Sequence, residues 1–469
     1  MSSCAMQPEH RVFFDAELIG RYERNGPRYT SYPTAVEFHP GCSTAQYRQA
    51  ATRSNQPAGK PLSIYVHIPF CTSPCFYCGC NRVITRDTTR ADVYLQYLFL
   101  EMAMHAPLFD RTRVAEQLHL GGGTPTFLSL DQLERLMTEL HRQFNLSTDA
   151  SQREFSIEID PRTLKPETLP ALARLGFNRI SLGVQDFDAE VQAAVNRVQS
   201  LAQTLQAIEQ AHTLGFRSVS VDLIYGLPLQ TPEKFLRTLD LVVHARPDRI
   251  AVYGYAHMPR IFKAQSHIRE AQLPSAAERL DLLELTINRL TRAGYVYIGM
   301  DHFALPDDEL VRAQQQRTLH RNFQGYSTHA ECDLIGLGVS AIGKVAGAYA
   351  QNAKTLPEYY AALTAGQLPI ERGLTMDRDD RLRHAVIQEI MCHGELRFAE
   401  LSAALGIEFQ RYFAAELESL RRLQQDGLIE LDGQQLRINP RGRLLLRHVA
   451  MEFDAYLDRT AARPFSRAI

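Results

Sequence analysis

The alternation of short strand-forming runs with amphipathic helical patterns, sustained from Leu62 to Met300, constrains this chain more than any other feature. The runs are Leu62–Ile68, Gln117–Leu120, Glu154–Ile159, Arg179–Val184, Ser218–Ile224, Arg249–Tyr255 and Tyr295–Met300. They are rich in Val, Ile and Tyr and bounded by Gly, Pro or Asp, as strands are. Between them, Ala91–Phe109 and Ala276–Ala293 space apolar residues by three and four, the period of a helix with one buried face. Ser129-x-x-Gln132 and Ser275-x-x-Glu278 read as capping boxes, and Thr231-Pro232 as a cap before a first-turn proline. Such alternation predicts an α/β fold with a mostly parallel sheet. Its sites belong at the C-terminal strand ends.

Each run ends in residues that a plain core strand does not need: Pro69-Phe70-Cys71, Gly121-Gly122-Gly123-Thr124-Pro125, Glu158-x-Asp160, Gln185-Asp186, Asp222, Tyr253-x-Tyr255-Ala256-His257 and Met300-Asp301-His302. Seven such ends converging on one mouth predict a barrel or an open part-barrel. Residues 1–60, with Pro27-Arg-Tyr-Thr-Ser-Tyr-Pro-Thr34, read as an irregular arm, and 61–372 as the barrel. From Gly373 the pattern changes. Helices over Asp379–His393, Phe398–Ala404 and Phe413–Asp426, a hairpin at Asp432-Gly433 and a last helix over Arg441–Tyr456 suggest a small, mostly helical, winged-helix-like domain over 373–469.

Cys71, Cys75 and Cys78 stand at C-x3-C-x2-C spacing directly after the first strand, with Cys80 close behind. Thiolates at this spacing suit an iron–sulfur cluster with one iron left open. By the thiols alone a zinc site with Cys80 as fourth ligand remains open, although Cys78-Gly-Cys80 is cramped for one tetrahedral ion. Redox or inert thiols remain open as well. Cys4, Cys42, Cys332 and Cys392 read as free or buried thiols.

Other residues gain weight from position. Three glycines at 121–123 let a backbone approach a ligand closely. Glu158 ends a strand, where its carboxylate suits a ribose or an amine. Asp222 interrupts an apolar strand and needs a partner. His67, His257 and His302 near strand ends read singly as hydrogen-bonded structural histidines. Asn322-Phe-Gln-Gly-Tyr326 puts aromatics beside amides, which suits a flat macrocycle or a loop anchored by its rings.

With Tyr77 before the third cysteine, the thiol motif resembles that of the radical S-adenosylmethionine (SAM) enzymes. The arm motif, His67-Ile-Pro-Phe-Cys71, Cys78-Gly-Cys80-Asn81, Gly121-Gly-Gly-Thr-Pro-Thr126, Gly183-Val-Gln-Asp-Phe187, Asp222-Leu-Ile-Tyr-Gly-Leu-Pro228, Gly299-Met-Asp-His-Phe-Ala304, Asn322-Phe-Gln-Gly-Tyr326 and the terminal Phe465-Ser-Arg-Ala-Ile469 narrow the match. Together they resemble the oxygen-independent coproporphyrinogen III oxidases of that superfamily. The resemblance implies a partial (β/α) barrel of the radical SAM type. It also implies oxidative decarboxylation of two propionates of coproporphyrinogen III to vinyl groups, giving protoporphyrinogen IX in heme synthesis. It implies a [4Fe-4S] cluster on Cys71, Cys75 and Cys78, not Cys80, and two SAM molecules shared among Tyr65, Tyr77, Gly122, Gly123, Thr124, Glu158, Gln185, Arg197, Asp222, Ala256 and Ile342. Position 77 is commonly Phe in relatives; Tyr77 keeps the ring. Cys80, Phe323, Gln324 and the arm around Arg28–Tyr32 are candidates on the substrate side. The alternative is a related heme-binding, heme-delivering branch, which typically lacks the Cys80 position and the arm motif, both present here.

A net charge of −2, with Arg421 and Arg422 balanced by Glu416, Glu418 and Asp426, argues against a nucleic-acid partner. No apolar stretch has the length of a membrane span and no secretory leader is visible. A cytoplasmic monomer served by an unidentified electron donor and acceptor is the expectation.

Overall fold

The computed structural model describes residues 12–457 apart from 23, 43, 57–58 and 330–331. Cys4 and the Phe465–Ile469 motif lie outside the described residues. The chain divides into two compact units, Phe38–Ser275 with Glu331–Thr375, and Met1–Glu37 with Ala276–Ala330 and Met376–Ile469. The sequence segments divided at 60 and 372 do not coincide with these units.

The first unit is built on strands β1 (Leu62–Ile68), β2 (Val114–Gly122), β3 (Glu154–Ile159), β4 (Arg179–Gln185), β5 (Ser218–Tyr225) and β6 (Arg249–Gly254). Each lies parallel to the one before it in sequence. Helices Thr89–His105, Leu130–Gln143, Thr168–Arg174, Leu201–Thr213 and Pro232–Ala245 make the crossovers. Consecutive βα units that add neighbours in one direction give the (β/α) part-barrel. The predicted caps form at two crossovers. Ser129 and Gln132 make a reciprocal capping box, and Thr231 caps Lys234 N–H ahead of Pro232.

Tyr295–Met300 does not supply the seventh parallel strand. Its core, Val296–Gly299, belongs to the other unit and pairs antiparallel with His302–Ala304. The parallel neighbour on the far side of β1 is β7 (Asp333–Leu337), which continues antiparallel into β8 (Ile342–Val345), β9 (Ala348–Asn352) and β10 (Ile370–Thr375). The fully buried carboxylate of Glu101 fixes the turn after β7. It accepts from Gly338 N–H, the Asn352 amide and Tyr359 Oη at 2.6–2.7 Å, so burial of this charge is compensated.

Side-chain alternation sets what faces where. In β3, Phe155, Ile157 and Ile159 are buried while Ser156 and Glu158 are half-exposed. In β4, Ile180, Leu182 and Val184 are buried while Ser181, Gly183 and Gln185 are half-exposed. In β5, Asp222 stands between buried Val221 and Leu223. A period of two therefore sends the apolar set into the core and the polar set to the opposite face.

The second unit adds to or differs from expectation in three places. The irregular arm is packed inward at Tyr29 and Tyr32. These rings are 1% and 0% exposed and belong to one apolar core with Val386, Ile390, Phe413 and Phe453. Arg441–Tyr456 is helical only over Leu446–Met451, after a short 3-10 turn at Arg443–Leu445. Beyond it, Asp454 accepts from Tyr29 Oη and Tyr456 N–H, and Tyr32 Oη accepts from Ala455 N–H, so these residues bond to side chains instead of a helix ladder. Asn322–Tyr326 is a hairpin, His320–Asn322 against Gly325–Ser327, with Phe323 and Gln324 at its tip. Gly325 supplies φ +116, open to glycine and strained for other residues. Glu395–Arg397, Gln435–Ile438 and Ile429–Leu431 form the antiparallel sheet of the winged-helix-like part, with Asp432-Gly433 in the tight loop. Back in the first unit, Thr44–Arg53 of the supposed irregular arm is a helix that buries Tyr47, Ala50 and Ala51.

Candidate active site

The cysteine loop is pinned at several points. Phe70–Cys71 pairs with Val83–Ile84 and closes the loop into a ring. Arg82 lies across it, donating to the carbonyls of Cys75, Cys78 and Cys80 at 3.1–3.3 Å. Asn196 holds Pro74 O at 2.7 Å, and Phe76 N–H donates to Val195 O at 2.9 Å. Gln265 donates to Tyr77 O and Ala256 O at 3.0 and 3.1 Å. The thiols are thus presented by a backbone whose carbonyls are occupied, as a preorganised ligand set requires.

These thiols edge a cavity of about 280 Å³ at the C-terminal ends of β2 to β5. Cys71, Cys75, Cys78, Cys80, Tyr77, Gly122, Gly123, Thr124, Glu158, Gln185, Arg197 and Asp222 all line it. Three residues expected there do not line it. Tyr65 stacks on His119, 5.8 Å between centroids, and its hydroxyl meets His67 Nδ1 at 3.0 Å. Ala256 reaches the loop through the shared Gln265 amide. Ile342 opens β8, paired with Gln351. Phe323 and Gln324 stand on the hairpin of the other unit. His67 and His257 have structural partners: His67 Nε2 lies 2.9 Å from Asn81 O, and His257 Nδ1 lies 2.9 Å from Tyr255 Oη.

The triple glycine is tight against the cysteine loop. A Cβ on Gly123 would lie 2.7 Å from the Pro69 carbonyl, and Gly122 has φ +113 with no room against the His67 ring. Gly123 N–H and Thr124 N–H donate to Ile68 O and Phe70 O at 2.8 and 2.9 Å. Glu158 is held in this corner: it accepts from Gly122 N–H at 3.1 Å, and His119 Nε2 lies 3.3 Å away. Burial opposes its charge, but these partners keep its carboxyl below the ordinary range.

Two arginines bear on Cys75. Arg162 Nη2 and Arg197 Nη1 lie 3.5 and 3.4 Å from its sulfur, and both guanidiniums also hold Asp160. Arg162 is a site residue that sequence reasoning missed; its signal is its place two residues beyond Asp160, itself just past a strand end. Arg82 was missed too, since nothing in the sequence says it folds back over the loop. Donor bonds from cations suit sulfur that carries negative charge. Cys80 N–H donates to Cys78 Sγ at 3.4 Å. The Cys80 thiol, against burial, pulls Cys78 down to about 6. Burial pushes Cys71 up to about 11 despite Thr124 Oγ1 at 3.3 Å. Three thiols on one pinned loop beside two cations and an open cavity fit an iron–sulfur cluster with room for a second ligand.

Burial raises Asp222 to about 7, with Ser181 Oγ at 2.9 Å working against it. The native carboxyl therefore keeps its proton between the ordinary 3.8 and about 7, where the unfolded chain has released it. Stability from this group falls as pH rises through that window. Asp222→Asn removes the dependence, so the melting temperature of the variant should gain on the parent from pH 5 to pH 8. A constant offset across the range would contradict the assignment.

Comparison with known proteins agrees with this geometry. Residues 65–242 match the radical SAM superfamily model, and residues 376–445 match the HemN C-terminal domain model. The oxygen-independent coproporphyrinogen III oxidase of Pseudomonas aeruginosa is 51% identical over 98% of this chain and 99% of its own length. That of Escherichia coli K12 is 46% identical over 98% of this chain and 99% of its own. The solved structure of Escherichia coli coproporphyrinogen III oxidase (HemN), described as a radical SAM enzyme, superposes with a TM-score of 0.91 at 44% identity. It covers 95% of this chain and 100% of that one. Identity at this level over nearly the full length of both partners places the chain in the oxygen-independent coproporphyrinogen III oxidase family of the radical SAM superfamily.

Proposed function

We infer that this protein oxidatively decarboxylates two propionate side chains of coproporphyrinogen III to vinyl groups, giving protoporphyrinogen IX. The observation that carries the reading is the thiol-edged cavity at the strand ends, in a chain 51% identical to a curated enzyme of that name. Cys71, Cys75 and Cys78 are assigned as cluster ligands and Cys80 as a neighbour that is not a ligand. When bound, the cluster and SAM supply one-electron cleavage of the sulfonium and removal of a hydrogen atom from the propionate β-carbon.

The chain's own residues bind and orient. Arg162 and Arg197 donate to the Cys75 sulfur and hold it in place. The Gly122–Thr124 backbone offers close approach for the methionyl end of SAM. Glu158, kept ionised by His119 and Gly122 N–H, is set to accept from an amine or a ribose hydroxyl. Gln185, Arg197 and Asp222 complete the polar wall. Tyr77 keeps its carbonyl on Gln265, so its hydroxyl, absent in relatives with Phe, is not needed to place the backbone. Tyr65, Ala256 and Ile342 remain assigned to SAM by resemblance. Cys80, Phe323 and Gln324 are assigned to the substrate side.

Among the described residues no helix is long and apolar enough to cross a membrane. A cytoplasmic monomer, an unidentified electron donor and a separate electron acceptor complete the reading. The test is anaerobic incubation of the reconstituted protein with SAM, a reductant and coproporphyrinogen III, followed by oxidation and mass spectrometry. Protoporphyrin IX, lighter than the coproporphyrin by two CO2 and four hydrogen atoms, is expected. Unaltered substrate from a protein that instead retains heme would favour the heme-delivery alternative.

A further inference from the structure

The second unit gathers arginines around one turn. Arg28 pairs with Asp301 at 3.0 Å. The turn that carries Asp301 is closed by Tyr297 Oη donating to Met300 O at 2.7 Å. On one side of it, His302 meets Tyr326 edge-on, 5.4 Å between ring centroids. On the other, Gly299 has no room for a Cβ against the Tyr326 hydroxyl. Over the Tyr326 ring, at 4.8 Å, lies the guanidinium of Arg321. Arg447 is 4% exposed and donates to Gly26 O and to Pro27 O, which fixes the segment that presents Arg28.

Arg321 is the unusual member. It is 4% exposed, yet its Nε and Nη1 have no hydrogen-bond partner. Its backbone is already secured, since its N–H donates to Gln388 Oε1 and its carbonyl accepts from Gln388 Nε2. The side chain is therefore not what holds the strand. A guanidinium does not shed its proton to escape burial, and buried donors without acceptors are costly. Stacking on one tyrosine returns only about 1–2 kcal/mol. Three residues further along the same hairpin, Gln324 Nε2 is also buried without a partner. Burial pushes Arg447 down to about 10, with Arg28 and Arg321 lowering it further and Asp301 and Tyr29 working against them, so positive charge is gathered at this place. Three vacant donor atoms on one hairpin, with positive charge beside it, call for an anion with oxygen acceptors.

We propose that Arg321 and Gln324 form a carboxylate-binding subsite, in the field of Arg28 and Arg447, that takes a propionate group of the tetrapyrrole substrate. The inference rests on the proposed function and deepens it. Two of the substrate's four carboxylates survive the reaction, so a group that grips one of them selects the substrate without touching the reacting bond.

The test uses coproporphyrin III, the stable fluorescent form of the substrate, titrated into the anaerobically reconstituted full chain. Arg321→Gln should weaken its binding about ten- to a hundredfold, the range for losing a charge-assisted pair. Arg321→Lys should recover part of that loss, and binding to the parent protein should weaken as salt rises. Should Arg321→Gln fail to fold, Gln324→Leu serves as the second variant, with a loss of about fivefold expected for one hydrogen bond. Parent-like affinity in whichever variant folds would overturn the subsite and leave Arg321 a structural residue. A parent protein that does not bind coproporphyrin III at all would instead strike the proposed function, and the subsite with it.

Discussion

Cys71→Ser is expected to lose the cluster. A serine hydroxyl does not ionise near neutral pH, and the remaining thiols, Cys75 and Cys78, cannot hold a cubane from two corners. Iron and sulfide should fall by more than half, the visible charge-transfer absorption should disappear, and SAM cleavage should drop by roughly a thousandfold or to background, as when a member of a unit that acts together is removed. Cys80→Ser is the informative partner. It lines the same cavity and its N–H touches Cys78 Sγ, yet it should keep its iron. A Cys80→Ser variant that loses the cluster while Cys71→Ser retains it would reassign the ligand set.

Gly123→Ala is expected to be almost as damaging, for a steric reason. The added methyl would sit 2.7 Å from the Pro69 carbonyl carbon and oxygen and 2.9 Å from Phe70 O. These are backbone atoms at the root of the cysteine loop, so no side chain can swing away. Relief requires the glycine strand end and the loop to part, breaking Gly123 N–H to Ile68 O and Thr124 N–H to Phe70 O. Overpacking of this kind costs about 1–3 kcal/mol, and the parted loop should bind SAM about tenfold more weakly or worse. Thermal unfolding and equilibrium binding of SAM measure the two effects separately. Gly20→Ala, inside the helix Ala16–Arg21 where a Cβ meets nothing within 4 Å, should leave SAM binding unchanged and raise stability slightly.

Much of this was legible in the sequence because the α/β period is simple. The boundaries of β1 and β3 agree to the residue, and the polar strand ends from 71 to 222 converge on one cavity. The failures have physical causes. Asp333-Leu-Ile-Gly-Leu is a short apolar run broken by glycine, which periodicity does not separate from a loop, so the parallel neighbour of β1 was missed. Tyr295–Met300 has strand character, but β-propensity does not say with which strand, or in which direction, a strand pairs, and Val296–Gly299 pairs antiparallel with His302–Ala304. The aromatic arm motif reads as an irregular segment; that Tyr29 and Tyr32 are core residues, with their polar tips satisfied by Asp454 and Ala455, depends on partners far away in sequence. Arg162, despite its place near a strand end, and Arg82 were missed for a different reason. A lone arginine acquires meaning only when the fold sets it beside a sulfur or across three carbonyls.

The central claim is that this protein removes a hydrogen atom from a propionate β-carbon of coproporphyrinogen III with a radical made from SAM. The most direct measurement is the isotopic composition of 5′-deoxyadenosine formed from coproporphyrinogen III deuterated at those carbons. Substrate-dependent 5′-deoxyadenosine carrying deuterium, released together with CO2, is the predicted result. Unlabelled 5′-deoxyadenosine, formed at the same rate with or without the porphyrinogen, would contradict it.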